Sequence, residues 1–351
     1  MSTTFESSLR TSLEDLPKGH KLNVYDIKTN LIKGSVPLFK TETSDTPYRH
    51  RLILIESETV GFVCGLESYE YQVQDALVVY ISKVDTSGGL PNGLTSRLVR
   101  SYVSTLTQPC TVYVFARAQP QYLFAESSKN TEKKALDDRG LVSWWLHTLN
   151  KVSQKDMKAW WYVPGIDDEQ SALIEVGARK RAWKSANNIE WKYGSSYADD
   201  ALASQVIPRF EDDAKARLLK DHPDSALKVS EFWGLLSISE ECGSGKLAGF
   251  FELKLNQATE QEKEGEEEKS IKNTNFTLFW NNFMSLDFSN RSSILKSSEK
   301  ALQDMKSIFP DMNPLQIETK KEQINVVSSN DDNKRQAVNT LSASFIKRRK
   351  K

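Results

Sequence analysis

Hydrophobic and polar positions along this chain switch between two periods. Phe5, Leu9, Leu13 and Leu16 recur at helical spacing behind Ser2 and Thr3 and stop at Pro17, which predicts a short N-terminal helix. Strand-like runs follow: Leu52-Ile53-Leu54-Ile55, then Phe62, Cys64 and Leu66 in alternation, then Ala76 to Ile81. The last run is apolar on both faces, as in the middle of a covered sheet. Leu94, Leu98, Tyr102 and Leu106 return to helical spacing, and Thr111 to Phe115 reads as a second buried strand. Further helices are predicted over Leu141 to Val152, Phe276 to Leu286 and Ile294 to Ile308, and a strand over Leu247 to Leu255. Strands mixed with helices, without an internal repeat, predict an α/β fold with a mixed central sheet flanked by helices.

Two segments break the pattern. Gln257 to Asn275 carries Glu260, Glu262, Glu264, Glu266, Glu267 and Glu268 with almost nothing apolar, so it is expected to be a mobile loop. Residues 326–351 are polar and end in Lys347-Arg348-Arg349-Lys350-Lys351, a cluster that reads equally as a nuclear-import signal or a solvated tail. The expected organisation is one domain over 1–325, with the acidic loop 257–275 inserted, and a basic tail over 326–351.

Composition narrows the classes. A length of 351 residues fits one large α/β unit. Lys plus Arg equals Asp plus Glu at 47 each, which argues against sequence-specific nucleic-acid binding and leaves any charge-driven partner to a local patch. Cys64, Cys110 and Cys242 are too few and too widely spaced for a disulfide framework or a zinc site. Neither a signal peptide nor an apolar stretch near the ~20 residues that span a bilayer is visible, so a soluble cytosolic or nuclear protein without a membrane partner is expected.

Common catalytic motifs fail. Gly243-Ser244-Gly245-Lys246 resembles part of a phosphate loop, but Glu240 and Leu247 stand where Gly and Ser or Thr are needed. There is no Gly-x-Ser-x-Gly elbow and no His-Glu-x-x-His motif, and His20, His50, His147 and His222 show no ligand spacing. No metal is expected.

Four constellations remain. Ser82 to Gly89 lies where a buried strand runs out into a glycine-containing loop, where open α/β sheets bind ligands. Glycine lets backbone amides approach a phosphate, and Lys83 adds charge, although an ordinary strand-to-helix turn would look the same. Phe115 to Phe124, followed by Ser127-Ser128-Lys129-Asn130 and Lys133-Lys134, delivers Arg117 at a second strand end with aromatics and cations behind it. That set suits a phosphorylated coenzyme with an apolar arm, or a solvated basic loop. Trp144 and Trp145, adjacent on a helix, point about 100° apart, so one can pack while the other lines a cleft, although both packing in the core is the reading that leads on the residues alone. Glu211-Asp212-Asp213 before Lys215 and Arg217 also suits the first turn of a surface helix.

Taken together, these segments resemble the fungal histone acetyltransferases of the regulator of Ty transposition family. The resemblance rests on Ser82-Lys83-x-Asp85-Thr86, on Arg117 with the run Gln121 to Asn130, on Trp144-Trp145, on Asp212-Asp213-x-Lys215-Ala216-Arg217 and on Asn339-Thr340-Leu341. These occur in family order across nearly the whole chain. The Gln121 to Asn130 and Asp-Asp-x-Lys-Ala-Arg runs are the specific ones. Ala135 stands where the family pattern has a histidine after two lysines, and a long insertion between Leu106 and Thr111 is missing.

The resemblance implies a fold similar to the acetyltransferase domain of the CREB-binding protein, acetyl-CoA as donor and histone H3 lysines within H3–H4 as acceptors. It implies stimulation by chaperones of the nucleosome-assembly-protein and anti-silencing-function families, in the nucleus, linked to chromatin assembly and the DNA damage response. On the strand ends it implies cofactor contacts from Lys83, Val84, Asp85, Thr86, Arg117 and Ala118. On the following segment and helix it implies contacts from Gln121, Tyr122, Lys134 and Trp144. It assigns catalytic roles to Asp85, Trp145, Asp212 and Asp213, and acetylation to Lys215. A non-catalytic histone-binding chromatin adaptor is the competing reading; it would have no need of cations and an acid at strand ends. The acceptor amine must lose a proton near ~10.4, and an ordinary Asp near ~3.9 accepts it poorly. The aspartates are therefore expected to orient lysine and water, with Trp145 walling the lysine channel.

Overall fold

The computed structural model describes residues 4–320 apart from 35–36, 41–45, 75, 90–92, 107–108, 154–156, 179–182, 185–188, 211–212, 223–225, 241, 244 and 256–269. The tail at 326–351, the acidic residues 257–269 and Asp212 lie outside the described residues. Among these residues the strands are β1 (Lys21–Lys28), β2 (Tyr48–Ser57), β3 (Gly61–Val73), β4 (Ala76–Thr86), β5 (Cys110–Arg117), β6 (Met157–Tyr162), β7 (Ile189–Tyr193), β8 (Ala248–Leu255) and β9 (Leu315–Glu318). The helices are α1 (Phe5–Glu14), α2 (Leu94–Ser104), α3 (Asp138–Leu149), α4 (Glu169–Glu175), α5 (Ala203–Val206), α6 (Ala214–Asp221), α7 (Val229–Ser237), α8 (Asn273–Met284) and α9 (Arg291–Ile308).

All the strands join one sheet in the order β7-β6-β8-β5-β4-β3-β2-β1-β9. Most neighbours are antiparallel, whereas β4–β5 and β6–β7 are parallel. The sheet is therefore mixed, and helices flank it on both sides. The crossover from β4 through α2 to β5 lays α2 against β3 and β4, while α3 packs on β5, so both inner strands are covered and their runs lack alternation.

Side-chain alternation sorts the two faces. Val112, Val114 and Ala116 of β5 join a core built with α1 to α4 through Leu9, Leu98, Trp145 and Leu173. Tyr113 and Phe115 point the other way. That second face is covered in two blocks. Phe276, Phe279, Phe283 and Met305 of α8 and α9 pack over β1 to β3. Phe232, Trp233 and Leu236 of α7 pack with Phe250 of β8. Between the blocks Ser82, Lys83, Phe115 and Arg117 stay partly exposed.

One contact fixes how closely α3 lies on the sheet. Gly249 pairs with Ala116, and a Cβ at Gly249 would fall 2.9 Å from Val142 Cγ2 of the helix. Gly249→Ala is expected to lower the unfolding free energy by about 1–3 kcal/mol through overpacking, measured by chemical denaturation. An unchanged midpoint would show that α3 retreats at no cost.

The expected acidic loop extended too far. Residues 270–275 belong to the fold: Ile271 N–H donates to the Lys28 carbonyl at 2.8 Å, and α8 starts at Asn273. The polar residues ahead of Phe276 are the solvent side of the first turn of α8, so they carry no apolar signal.

Candidate active site

The parallel strands β4 and β5 pair only from Leu77↔Cys110 to Ile81↔Val114. Beyond that point β4 continues to Thr86 against β3, and β5 continues to Arg117 against β8. The two strands part, and the sheet opens into a fork at their C-terminal ends. One wall is Ser82 to Thr86 and the other is Phe115 to Arg117. A β-bulge lies at the crotch, because Glu67 pairs with Lys83 while Ser68 pairs with Ile81, leaving Ser82 as the extra residue.

Asp85 organises the far end of the fork. Its Oδ2 accepts the backbone N–H of Tyr122, Leu123 and Phe124 at 2.8, 2.9 and 3.3 Å. Its Oδ1 accepts Thr86 N–H at 2.8 Å and the Lys133 ammonium at 2.7 Å. Both side chains of that ion pair are only 4% exposed. Lys133 also donates to Ser127 Oγ, and Asn130 Nδ2 donates to the Ser87 carbonyl. The aspartate at the end of β4 thus holds the 122–133 segment over the strand end. A Cβ at Gly88, whose φ is +104°, would fall 2.9 Å from Asn130 Nδ2, so glycine is needed on both counts.

Around this clamp, Tyr122 O–H donates to the Arg117 carbonyl, and burial pushes its phenol up to about 12. Gln121 Oε1 accepts Ser128 N–H at 3.1 Å. Ala118 follows the β5 end directly, and Val84 packs against the core under α1 to α4. Lys134 is exposed, unlike its neighbour Lys133. Lys83 Nζ lies 2.5 Å from Glu67 Oε2, and His50 Nε2 lies 2.7 Å from Glu67 Oε1. Burial pushes the Glu67 carboxyl up, but the His50 hydrogen bond and the Lys83 charge outweigh it and hold the group below its ordinary value.

Asp213 and Lys215 share this face of the sheet. Asp213 caps α6 by accepting Lys215 N–H at 2.9 Å, and its Oδ2 lies 3.0 Å from Lys215 Nζ. The ammonium is ringed by Phe250, Tyr113 and Phe210 at 5.2, 5.4 and 5.7 Å from their centroids. Phe210 in turn stacks on Tyr80 at 4.4 Å, just before the fork opens. Trp144 and Trp145 lie on the opposite face. Trp145 is buried in the α1–α4 core and Trp144 stays partly exposed, with ring centroids 5.0 Å apart. The fork therefore gathers Lys83, Val84, Asp85, Thr86, Arg117, Ala118, Gln121 and Tyr122, with Asp213 and Lys215 near its crotch and the tryptophans behind the sheet.

Two features escaped the sequence reading. Lys133 was visible only as one of two adjacent lysines, and its burial against Asp85 needs the folded segment. The α2 N-terminus follows Gly93, which gives it no side-chain cap. Burial pushes the Cys64 thiol up to about 12, so the cysteine nearest Asp85 is a protonated core residue and no nucleophile.

Residues 99–331 match the histone acetyltransferase KAT11-type domain. The histone acetyltransferase rtt109 of Schizosaccharomyces pombe is 32% identical over 272 residues, 69% of this chain and 70% of that protein. The chain belongs to the KAT11-type histone acetyltransferases. Histone acetyltransferase rtt109 of Aspergillus flavus is 28% identical over 256 residues, 55% of this chain and 45% of that protein. The crystal structure of Rtt109 from Aspergillus fumigatus superposes with a TM-score of 0.73 over 90% of this chain and 99% of that one, at 21% identity, which speaks for the fold. As a KAT11-type enzyme the chain is an acyltransferase with acetyl-CoA as its donor. The adaptor reading falls with that assignment.

Proposed function

We propose that this acetyltransferase draws acetyl-CoA into the fork between β4 and β5 and transfers its acetyl group to lysines of histone H3 in H3–H4. The supporting observation is the parting of two parallel strands after Ile81 and Val114. It leaves strand edges facing one another, where the amides of a pantetheine arm can bond as a strand would. Arg117, exposed Lys134 and the N-terminus of α2, which has no side-chain cap, suit the coenzyme's phosphates.

In this reading Asp85 is a positioning residue, because its two oxygens already accept five hydrogen bonds. It fixes Thr86, Tyr122 and the backbone around them, and so shapes the cofactor wall. Asp213 holds α6 and Lys215 at the crotch. Trp145 acts from the core by fixing α3, with Trp144 as the ring left to meet the cofactor. For Asp212 the proposal rests on the Asp-Asp-x-Lys-Ala-Arg match alone. The acceptor amine loses its proton to water, attacks the thioester directly, and coenzyme A leaves as thiolate.

The partners are histone chaperones of the nucleosome-assembly-protein and anti-silencing-function families. The place of action is the nucleus, in chromatin assembly and the DNA damage response. The six glutamates between 260 and 268 and the basic end at 347–351 give such partners complementary charge. Labelled acetyl-CoA incubated with H3–H4, with and without chaperone, is expected to label H3, and more so with chaperone. Label confined to other proteins would overturn the substrate assignment.

Arg117→Ala is expected to weaken acetyl-CoA binding by about tenfold, the loss of one charge-assisted contact, while leaving histone binding alone. Calorimetry with acetyl-CoA checks this, and an unchanged affinity would place the coenzyme away from the fork.

A further inference from the structure

We propose that Ser82 is a catalytic residue, whose hydroxyl donates a hydrogen bond to the thioester carbonyl oxygen as that oxygen gains negative charge. The inference rests on the reading that acetyl-CoA lies in the fork. Ser82 is the first β4 residue past the last pair with β5, and also the extra residue of the bulge. Alternation after Tyr80 sends Ser82 to the Tyr80 face, and the bulge brings Lys83 round to the same face beside it. Ser82 Oγ accepts from Lys83 Nζ at 3.2 Å, which places the hydroxyl on the same face as Lys83 and Glu67. The residue is partly exposed, within reach of a ligand.

The direction of that hydrogen bond decides the chemistry. Because the ammonium donates, the serine proton is left to donate elsewhere, and the nearby cation makes it a stronger donor. The ammonium itself is fixed by buried Glu67, which His50 holds from the other side. The other hydroxyls along the fork have given their protons to backbone carbonyls: Thr86 to Val63, Ser87 to Phe62 and Tyr122 to Arg117. Among these wall residues only Ser82 has a proton uncommitted.

In the reaction the lysine nitrogen, already deprotonated by water, bonds to the carbonyl carbon. The carbonyl pair moves onto oxygen, where the Ser82 O–H meets it. The pair then returns as the carbon–sulfur bond breaks. Coenzyme A departs as thiolate, and the extra proton on nitrogen passes to water. Ser82 keeps its proton throughout, and is not acylated.

The test is steady-state kinetics on Ser82→Ala and Ser82→Thr, with acetyl-CoA affinity measured by calorimetry. Ser82→Ala is expected to lower kcat by about 10²-fold, the usual loss of one oxyanion donor, with acetyl-CoA affinity within about twofold of wild type. Ser82→Thr keeps the hydroxyl and is expected to retain most of the rate. Wild-type kcat in Ser82→Ala, or equal losses in both variants, would overturn the role of Ser82. If acetyl-CoA affinity is instead untouched by Arg117→Ala, the fork reading itself fails, and the two failures are told apart.

Discussion

Asp85→Ala is expected to abolish acetyl transfer and, in the same variant, to lower the unfolding free energy by about 3–5 kcal/mol. The carboxylate is the partner of a Lys133 ammonium that is itself 4% exposed, and it also satisfies three consecutive amides of the 122–124 backbone. Removing it leaves a buried cation and orphaned donors together, which is the costly way to break such a pair. The burial of Lys133 adds this loss of stability to the loss of turnover. Asp85→Ala combined with Lys133→Met separates the effects. The methionine fills the volume without a charge, so the double variant should recover a large part of the stability. It should not recover activity, because Tyr122 and the segment after Arg117 still lack their anchor. Thermal unfolding and acetyl transfer to H3–H4, measured on both variants, test this. Recovery of turnover in the double variant would show that Asp85 serves stability alone.

The elements nearest the site were the most legible in the sequence. Ala76 to Ile81 and Thr111 to Phe115 are apolar on both faces because helices or loops cover them on both sides, and the structure places them side by side as β4 and β5. The fork between them was not legible, since it depends on where pairing stops, and no residue type marks that place. The region from Met157 to Ser237 gave little. In β6, Met157, Ala159 and Trp161 face the core while Trp160 and Tyr162 face the other way, so aromatics on both sides hide the alternation. The short helices α4 to α6 offer too few turns for a period to show.

Single site residues divide the same way. An acid at the end of a buried strand could be picked out at Asp85, but its partners lie 37 to 48 positions away. From two adjacent lysines the resemblance singled out Lys134, while the fold buries Lys133 against the aspartate. The 100° offset of Trp144 and Trp145 left open whether one ring or both would pack in the core. The buried one is Trp145, because α3 turns the Val142 side onto Gly249 and carries Trp145 into the same core.

Lys215 carries the second large expected effect. Its side chain is 7% exposed and that of Asp213 only 1%, with the ammonium 3.0 Å from Asp213 Oδ2. Asp213 Oδ1 is already committed to capping α6, so the other oxygen has Lys215 as its charge partner. Lys215→Met is expected to cost about 3–5 kcal/mol of stability, since a buried carboxylate is left without its cation. Asp213→Asn in the same chain should restore part of that loss by removing the stranded charge. The resemblance implies an acetyl group on Lys215, and we propose that Lys215 carries one. An acetylated nitrogen keeps an N–H to donate to Asp213, and the acetyl group meets the rings of Tyr113, Phe210 and Phe250 in place of an ammonium. Lys215→Gln retains a neutral amide and should keep more stability and turnover than Lys215→Met. Lys215→Arg keeps a charge that cannot be acetylated and forces a broader planar group between the rings, so its turnover should fall below that of the glutamine variant. Peptide mass spectrometry on protein freed of acetyl-CoA is expected to find the acetyl group at Lys215. An unmodified lysine, with the Arg and Gln variants both at wild-type rate, would reduce this residue to the partner of Asp213 at the start of α6.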